Sequence, residues 1–191
     1  MPAIKWSTVE RQLATMDQPE LIALLRDLFK SSDTARTFLT MRVVGSDGGE
    51  TLEKYRKRVV GQFFTARGDG KLDLREARRS IREYQKTTAD LVGTIDLMLS
   101  YVEAGTRFTN SFGDISENFY SSLESVLGEM VDLLRTPAGR PYYGRFQERL
   151  RKLQSAASGI GWGYCDVVLE MLGQLEADAE TWAESEVDGK N

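Results

Sequence analysis

The side chains of this sequence that could do acid–base chemistry are carboxylates, because its 191 residues include no histidine and a single cysteine, Cys165. Without imidazole, no side chain has an unperturbed pKa near 7, and no Ser/His or Cys/His nucleophile pair can form. The usual zinc and di-iron ligand sets also require histidine or several cysteines. The sequence therefore predicts neither a metal nor another cofactor.

Three carboxylates, Asp96, Glu103 and Asp114, are candidates for a histidine-free enzyme with a cleft near Tyr101. Two carboxylates can serve as general acid and general base where burial moves their pKa values apart. Nothing in their spacing shows that these side chains converge. Catalysis is therefore the weakest of the functional hypotheses, and a non-enzymatic protein is favoured.

Positive charge is concentrated between Lys54 and Lys86, although the whole chain carries a formal charge of −4. This segment holds eleven basic and four acidic residues. Many of the basic residues follow helical spacings of three or four, which place several side chains on one exposed face. The candidate binding residues of this basic face are Arg75, Arg78, Arg79, Arg82, Lys86, Lys54, Lys57 and Arg58.

A basic face of this kind has two functional interpretations. The primary hypothesis is a protein–protein interaction or scaffold protein that presents the face to an acidic partner, and that could also self-associate as a homodimer. The alternative is a nucleic-acid-binding protein whose arginines neutralise backbone phosphates and release counterions. The acidic net charge and the modest size of the face favour a structural interpretation instead, in which the face is solvated and its cations pair with acidic residues of adjacent helices or of a second subunit. An acidic protein partner would also fit.

Two motifs resemble ligand-binding loops but fit turns better. Residues 69–76 match the second half of an EF-hand loop, yet the same alignment places Arg67 at a position where calcium requires an oxygen ligand. We interpret this segment as a turn in which Asp73 caps the next helix. The glycine-rich segment 159–163 could hold an anion, but no predicted strand precedes it, so close helix packing around Trp162 is the preferred interpretation.

The elements that position these residues are predicted to be helices. No proline lies between Glu20 and Thr136, so the residue that most strongly breaks helices is absent there. Glycine clusters divide the chain into segments whose apolar residues recur with a period near 3.6. About nine amphipathic helices are predicted, at residues 7–15, 18–30, 33–44, 50–66, 74–86, 88–106, 116–135, 142–157 and 161–184.

Local signals mark several helix starts. Ser7 with Glu10, and Asp17 with Glu20, match the capping box, and Ser116 is an expected N-cap. Short connections force neighbouring helices to pack antiparallel. The predicted fold class is all-α, with helical hairpins arranged as a compact bundle or a short, irregular HEAT-like array, since no repeat of fixed period is present.

We expect one helical domain over residues 1–184 and a polar tail over residues 185–191. The most apolar stretch, residues 91–102, contains Asp96 and is too short to span a bilayer. Charges interrupt the first thirty residues, which lack the apolar core of a signal peptide. Because one cysteine cannot form an internal disulfide, a reducing compartment fits. A soluble, cytoplasmic protein with no membrane partner is expected.

Several segments together resemble a known family. Residues 94–125 read TIDLMLSYVEAGTRFTNSFGDISENFYSSLES, and residues 158–166 read SGIGWGYCD. With LIALLRDLFKSS, LEKYRKRV and KLDLREARRSIREY, they resemble a family of small, mostly bacterial, all-helical proteins known only as a domain of unknown function. The resemblance covers nearly the whole chain and implies one domain with no established activity.

The same segments carry polar and aromatic residues that a simple amphipathic helix would not require. These candidate polar-junction residues are Asp96, Tyr101, Glu103, Asn110, Asp114, Glu117, Tyr120 and Asp166. They could line a pocket. The preferred interpretation is that they cap helices and satisfy buried backbone groups at the junction near Gly113.

Overall fold

The computed structural model describes residues 5–45, 49–65 and 68–188. Within these ranges the chain forms nine α-helices, one short 3-10 helix and one two-stranded hairpin, which confirms the all-α fold class. The elements are α1 (Trp6–Leu13), α2 (Gln18–Ser31), α3 (Asp33–Val43), α4 (Glu50–Val60), β1 (Phe64–Thr65), β2 (Gly68–Asp69), α5 (Leu74–Thr88), α6 (Leu91–Phe112), α7 (Glu117–Arg135), the 3-10 helix (Arg140–Tyr142), α8 (Tyr143–Ala157) and α9 (Tyr164–Asp188).

The chain divides into two compact units, Met1–Gly48 and Gly49–Asn191. The expectation of a single domain over residues 1–184 stays a prediction. None of the described helices is both long enough and apolar enough to cross a membrane.

The N-terminal unit contains α1 and the hairpin of α2 and α3. The predicted capping box of α2 is confirmed, since Asp17 Oδ1 accepts from the Glu20 N–H at 2.8 Å and Glu20 Oε2 accepts from the Asp17 N–H at 2.9 Å. Ser32 alone connects α2 to α3, and its hydroxyl caps α3 by accepting from the Ala35 N–H at 3.1 Å. No residue of α1, α2 or α3 is buried.

The second unit is a helical bundle arranged around α6. This helix packs against α4, α5, α7 and α8, while α9 packs against α7 and α8. Fifteen of the 22 residues of α6 are buried, as expected for a helix that other helices enclose. The fully buried aromatic residues of the unit are Tyr84, Tyr101, Tyr120, Tyr164, Phe63, Phe119 and Phe146.

The helix predicted over residues 50–66 is wrong in its last turn and a half, because α4 ends at Val60. After Gly61 the chain turns, and β1 pairs antiparallel with β2 in the register Phe64 to Asp69. The carbonyl of Phe63 accepts from the Gly70 N–H at 2.7 Å, and the Phe63 ring is fully buried 5.2 Å from the Tyr101 ring. Tertiary packing of this ring therefore overrides the local helical pattern.

Other boundaries also differ from the prediction. The α6 helix runs from Leu91 to Phe112, because Asp90 accepts from the Gly93 N–H at 3.0 Å and sets a later start. The α9 helix starts at Tyr164, after a turn in which Trp162 has a φ of 58°, and continues to Asp188. Of the expected tail, residues 189–191 lie outside the described residues, as does Arg67 of the EF-hand comparison.

Two predicted helix starts beyond α2 have opposite outcomes. Ser116 caps α7 by accepting from the Phe119 N–H at 3.3 Å, which confirms that prediction. The capping box predicted at Ser7 is wrong, because α1 already starts at Trp6 and its N-cap residue, Lys5, makes no side-chain capping bond.

Candidate functional site

The basic face predicted from the sequence borders an open groove of about 950 Å³ between the start of α5 and the first two turns of α7. The predicted cap of α5 is confirmed, since Asp73 Oδ1 accepts from the Glu76 N–H at 3.0 Å. From that start, Arg75, Arg79 and Arg82 recur at helical spacing along the groove. The remaining lining residues are Lys71, Leu72, Asp73, Leu74, Glu76, Asn118 and Ser122.

The loop that leads into α5 is held in a defined conformation. Leu72 has a φ of 53°, in the left-handed region that branched side chains rarely adopt. Its N–H donates to the carbonyl of Gln62 at 2.7 Å, and Gly70 approaches the same residue so closely that a Cβ there would overlap the Gln62 carbonyl. These contacts fix the position of Lys71 at the mouth of the groove.

The groove has an excess of positive charge that is open to solvent. Arg79 pairs with Glu76 at 2.9 Å. Lys71, Arg75 and Arg82 are exposed, and each lacks an ion pair within the described ranges. The first turns of α5 and α7 add the partial positive charge of helix N-termini. The groove can therefore bind an anion without first breaking an ion pair of these three residues.

The other predicted basic residues are used differently. Arg78 pairs with Glu129 of α7 at 2.6 Å, and Arg58 pairs with Glu83 of α5 at 3.1 Å. These two arginines thus link α5 to its neighbours. Lys54 and Lys57 on α4, and Lys86 in the last turn of α5, are exposed but do not line the groove.

Tyr55 extends the contact between α4 and α5. Its hydroxyl donates to Glu83 Oε1 at 2.8 Å, and the Arg58 guanidinium lies 4.9 Å from the centre of its ring. Burial, together with the neighbouring Glu83 carboxylate, raises the pKa of Tyr55 to about 12. Burial also acts to raise the pKa of Glu83, but hydrogen bonds from Tyr55 and Arg58 outweigh it and leave that pKa below its ordinary value.

Two of the predicted carboxylates, Asp96 and Glu103, converge on one guanidinium. Arg149 of α8 donates from Nη1 to Asp96 Oδ1 at 2.5 Å. It also donates to Glu103 through Nε at 2.9 Å and Nη2 at 2.6 Å, in the bidentate geometry that favours arginine. Arg56 of α4 donates to the second oxygen of Asp96 at 2.6 Å and also pairs with Glu53.

In this carboxylate cluster, Asp96 and Glu103 are paired with the guanidinium groups of Arg149 and Arg56. The cluster lies beside a cavity of about 500 Å³. The Asp96 side chain is 9% exposed, and both of its oxygens accept from guanidinium groups. Burial acts to lower the pKa of Arg149, but its bonds to Glu103 and Asp96 outweigh burial and raise that pKa above its ordinary value. The cluster therefore joins α4, α6 and α8 electrostatically, and its carboxylates are engaged by cations.

The other candidate polar-junction residues lie elsewhere. The hydroxyls of Tyr101 and Ser122 share a hydrogen bond at 2.8 Å. Asn110 Nδ2 donates to the carbonyl of Ala156 at 2.7 Å, which ties α6 to α8. The Tyr120 hydroxyl donates to Asp114 Oδ1 at 2.9 Å and shares a hydrogen bond with Thr109 at 2.6 Å, while burial raises its pKa. Glu117 and Asp166 are exposed in the first turns of α7 and α9. The arrangement fits helix caps and cross-links better than one shared pocket.

The sequence places Arg149 in a second, smaller basic cluster with Arg145, Arg151 and Lys152, but it does not predict that Arg149 pairs with the carboxylates, nor does it select Arg56 or Lys71 as site residues. The need of Arg149 for a partner could have been predicted, because it lies three residues after Phe146 and four before Leu153, on the buried face of α8. A charged residue on an apolar face requires a partner. The sequence around Lys71 contains no comparable pattern, because the position of Lys71 in the groove depends on the turn that precedes α5.

The structure adds no candidate metal centre. In the part of the chain that it describes, no three His, Cys, Asp or Glu side chains are grouped so as to hold a metal ion.

Comparison with family models, curated proteins and solved structures finds no match to this chain. The resemblance to an all-helical family of unknown function therefore stays a prediction. The groove and the carboxylate cluster therefore supply the basis for a proposed function.

Proposed function

We propose that this protein is a non-enzymatic interaction protein that binds an acidic segment of a partner protein in the groove between α5 and α7. One observation carries the proposal: Lys71, Arg75 and Arg82 surround an open groove, and none of them has an ion pair within the described ranges. A cytoplasmic location and membership of the all-helical family that residues 94–125 resemble belong to the same proposal.

The dimensions of the groove support a peptide ligand. Arg75 and Arg82 are seven residues apart on α5, which corresponds to about 10 Å along the helix axis. An extended peptide advances about 3.3 Å per residue and turns alternate side chains to the same face, so acidic side chains two or four residues apart, about 7 or 13 Å, lie on one face and bracket this length. Each guanidinium can donate two hydrogen bonds to one carboxylate in bidentate geometry.

The walls of the groove support the same class of ligand. Leu72 and Leu74 supply apolar surface, while Asn118 and Ser122 supply neutral hydrogen-bonding groups on the α7 side. A segment that alternates acidic and apolar side chains would use both kinds of wall. A phosphate backbone would use the cations but leave the leucines without apolar contacts.

Nucleic-acid binding is the second candidate, because the cations form a row. Arg75, Arg79, Arg82 and Lys86 follow one another at intervals of about one helical turn, a pattern that suits a polyanion. Against it, only three of the groove cations lack an ion pair, whereas specific nucleic-acid binders commonly neutralise about 6–10 phosphates. The rest of the chain is acidic and repels a long polyanion.

Fluorescence anisotropy with two labelled probes tests the proposal. One probe is a twelve-residue peptide of alternating Glu and Leu, and the other is a twenty-nucleotide oligo-dT, each measured at low and high salt. We expect the peptide to bind more tightly than the oligonucleotide at low salt, and binding to weaken at high salt because exposed charges are screened. Tighter binding of oligo-dT would favour the second candidate, and binding of neither probe would refute both.

A charge-matched pair of variants locates the binding site. Arg75→Glu reverses one groove cation, and Arg145→Glu reverses an exposed arginine of α8 that is outside the groove. Both variants change the net charge equally. We expect Arg75→Glu to weaken peptide binding at least about tenfold and Arg145→Glu to change it less than about twofold. Equal losses in both variants would show that the net charge, and not the groove, attracts the peptide.

A further inference from the structure

Arg107 of α6 carries a charge that no carboxylate neutralises among the side chains that the structure describes. Glu103 lies four residues earlier on the same helix, at the spacing that favours an ion pair with Arg107. Both oxygens of Glu103, however, accept from Arg149 of α8, through Nε at 2.9 Å and Nη2 at 2.6 Å. Arg107 is therefore a cation in excess at this surface.

The guanidinium of Arg107 has a defined position. It lies 4.1 Å from the centre of the Phe64 ring, in a cation–π contact. Phe64 in turn packs against the buried ring of Phe108, with 5.7 Å between the ring centres. A cation held in this way loses less conformational freedom on binding an anion than a free surface arginine does.

Arg107 lies where two cavities meet. The first, of about 500 Å³, is the cavity beside the carboxylate cluster, between α4, α6 and α8. The second, of about 280 Å³, lies between α6 and α8, and Glu103 and Arg107 line both. All the residues that line them belong to the second unit. Sites for small molecules commonly have volumes of about 300–1,000 Å³, so the two cavities together have the size of such a site.

The second cavity has an apolar wall. Leu153, which is buried, and Ala156 contribute this wall from α8. Opposite them on α6, the Thr106 hydroxyl donates to the Val102 carbonyl at 2.9 Å and shares a hydrogen bond with the Tyr164 hydroxyl at 2.6 Å. Because this hydroxyl is already engaged, the space between α6 and α8 suits the apolar body of a ligand.

The charges of the first cavity favour an anionic ligand over a cationic one. Its two carboxylates, Asp96 and Glu103, accept from guanidinium groups through both of their oxygens. A cationic ligand would have to compete with Arg149 for them, whereas an anionic ligand meets Arg107. A guanidinium can donate two parallel hydrogen bonds to one carboxylate, which fixes the orientation of the ligand.

We propose that Arg107 anchors a binding site for a small organic carboxylate, whose charged group pairs with Arg107 and whose apolar body lies between α6 and α8 against Leu153 and Ala156. This site goes beyond the proposed peptide groove, because no residue lines both the groove and these two cavities. Loss of carboxylate binding and loss of peptide binding are therefore separate results.

Isothermal titration calorimetry of the full chain with three probes tests the site. Phenylacetate has both a carboxylate and an apolar body, phenylacetamide has the same shape without the charge, and inorganic phosphate has charge without the apolar body. We expect phenylacetate to bind with a Kd of about 1 mM, and the other two probes to bind at least about tenfold more weakly. No saturation by phenylacetate up to about 10 mM would overturn the proposal, as would equal binding of either other probe.

A pair of arginine variants locates the charged end of the ligand. Arg107→Met removes the charge but keeps an unbranched side chain that can still contact the Phe64 ring. Arg145→Met removes an exposed arginine of α8 that lines neither cavity. We expect Arg107→Met to weaken phenylacetate binding at least about tenfold and Arg145→Met to change it less than about twofold. Equal effects of the two variants would refute the role of Arg107.

A second pair of variants locates the apolar end and keeps the proposal testable if Arg107→Met loses helical content by circular dichroism. Ala156→Leu extends a side chain into the space between α6 and α8, whereas Ser155→Leu adds the same side chain at an exposed neighbour that lines neither cavity. We expect Ala156→Leu to weaken phenylacetate binding at least about fivefold and Ser155→Leu to leave it unchanged. Phenylacetate binding that Ala156→Leu does not weaken would place the ligand elsewhere and overturn the proposal.

Discussion

Removal of the Arg149 guanidinium should destabilise the second unit more than any exposed arginine would. In Arg149→Met the side chain keeps its apolar stem but leaves Glu103 without its bidentate partner and Asp96 with one cation instead of two. The variant therefore tests whether the carboxylate cluster contributes to the stability of the bundle.

The expected loss in the free energy of unfolding for Arg149→Met lies between two limits. Breaking a fully buried ion pair costs about 3–5 kcal/mol, and breaking an exposed one costs about 0–1 kcal/mol. The Arg149 side chain is 33% exposed and that of Asp96 is 9% exposed. Because Arg56 still neutralises Asp96, we expect a loss of about 2–3 kcal/mol in the free energy of unfolding. The melting temperature should fall by about 4–12 °C.

Urea denaturation followed by circular dichroism measures this loss. Arg149→Lys keeps the charge but not the two-pronged contact with Glu103, so we expect a smaller loss than for Arg149→Met. Arg145→Met, at an exposed arginine of the same helix, should change stability by less than about 0.5 kcal/mol. A loss for Arg149→Met as small as that of Arg145→Met would refute the reasoning.

A double variant tests whether the two arginines act on one carboxylate. Arg56→Met alone leaves Asp96 with Arg149, and Arg149→Met alone leaves it with Arg56. The double variant leaves a nearly buried carboxylate with no cation. We therefore expect the double variant to lose more stability than the two single losses added together. Simple additivity would mean that the two arginines do not share Asp96.

Two further outcomes follow from the bundle. Gly139→Ala should destabilise the protein by about 1–3 kcal/mol, because a Cβ at this position would overlap the Leu133 carbonyl. Gly144→Ala in α8 is the control, because a Cβ there meets open space. We expect Gly144→Ala to leave the urea midpoint unchanged or slightly higher. The Tyr55 hydroxyl ionises near pH 10 in the unfolded chain but at about 12 in the fold, so its contribution to stability is complete below pH 10 and is lost as the pH rises through 12. Burial also raises the pKa values of Tyr101, Tyr120, Tyr143 and Tyr164, so absorbance at 295 nm should show late tyrosine ionisation whose amplitude falls by one phenol in Tyr55→Phe. A late phase of unchanged amplitude would contradict the burial of this hydroxyl.

Much of the fold could be predicted from local signals in the sequence. The period of the apolar residues gave the class and number of helices, and the caps at Asp17, Asp73 and Ser116 were predicted correctly because a cap depends on side chains within three residues of the helix start. The turn after Val60 was missed. Residues 61–65 continue a helical pattern, and only the burial of Phe63 beside Tyr101 shows why the chain leaves the helix.

In the candidate site too, local sequence signals predict some features and not others. The sequence by itself determined that arginines share one face of α5 and that Asp96 lies within an apolar helix, because both facts follow from spacing along one element. Only the tertiary structure decided that Arg78 and Arg58 pair with acidic neighbours while Arg75 and Arg82 line an open groove, and that Arg149 from a distant helix meets Asp96. Ion pairing depends on distances of a few ångströms between elements far apart in the chain, and no local pattern contains those distances.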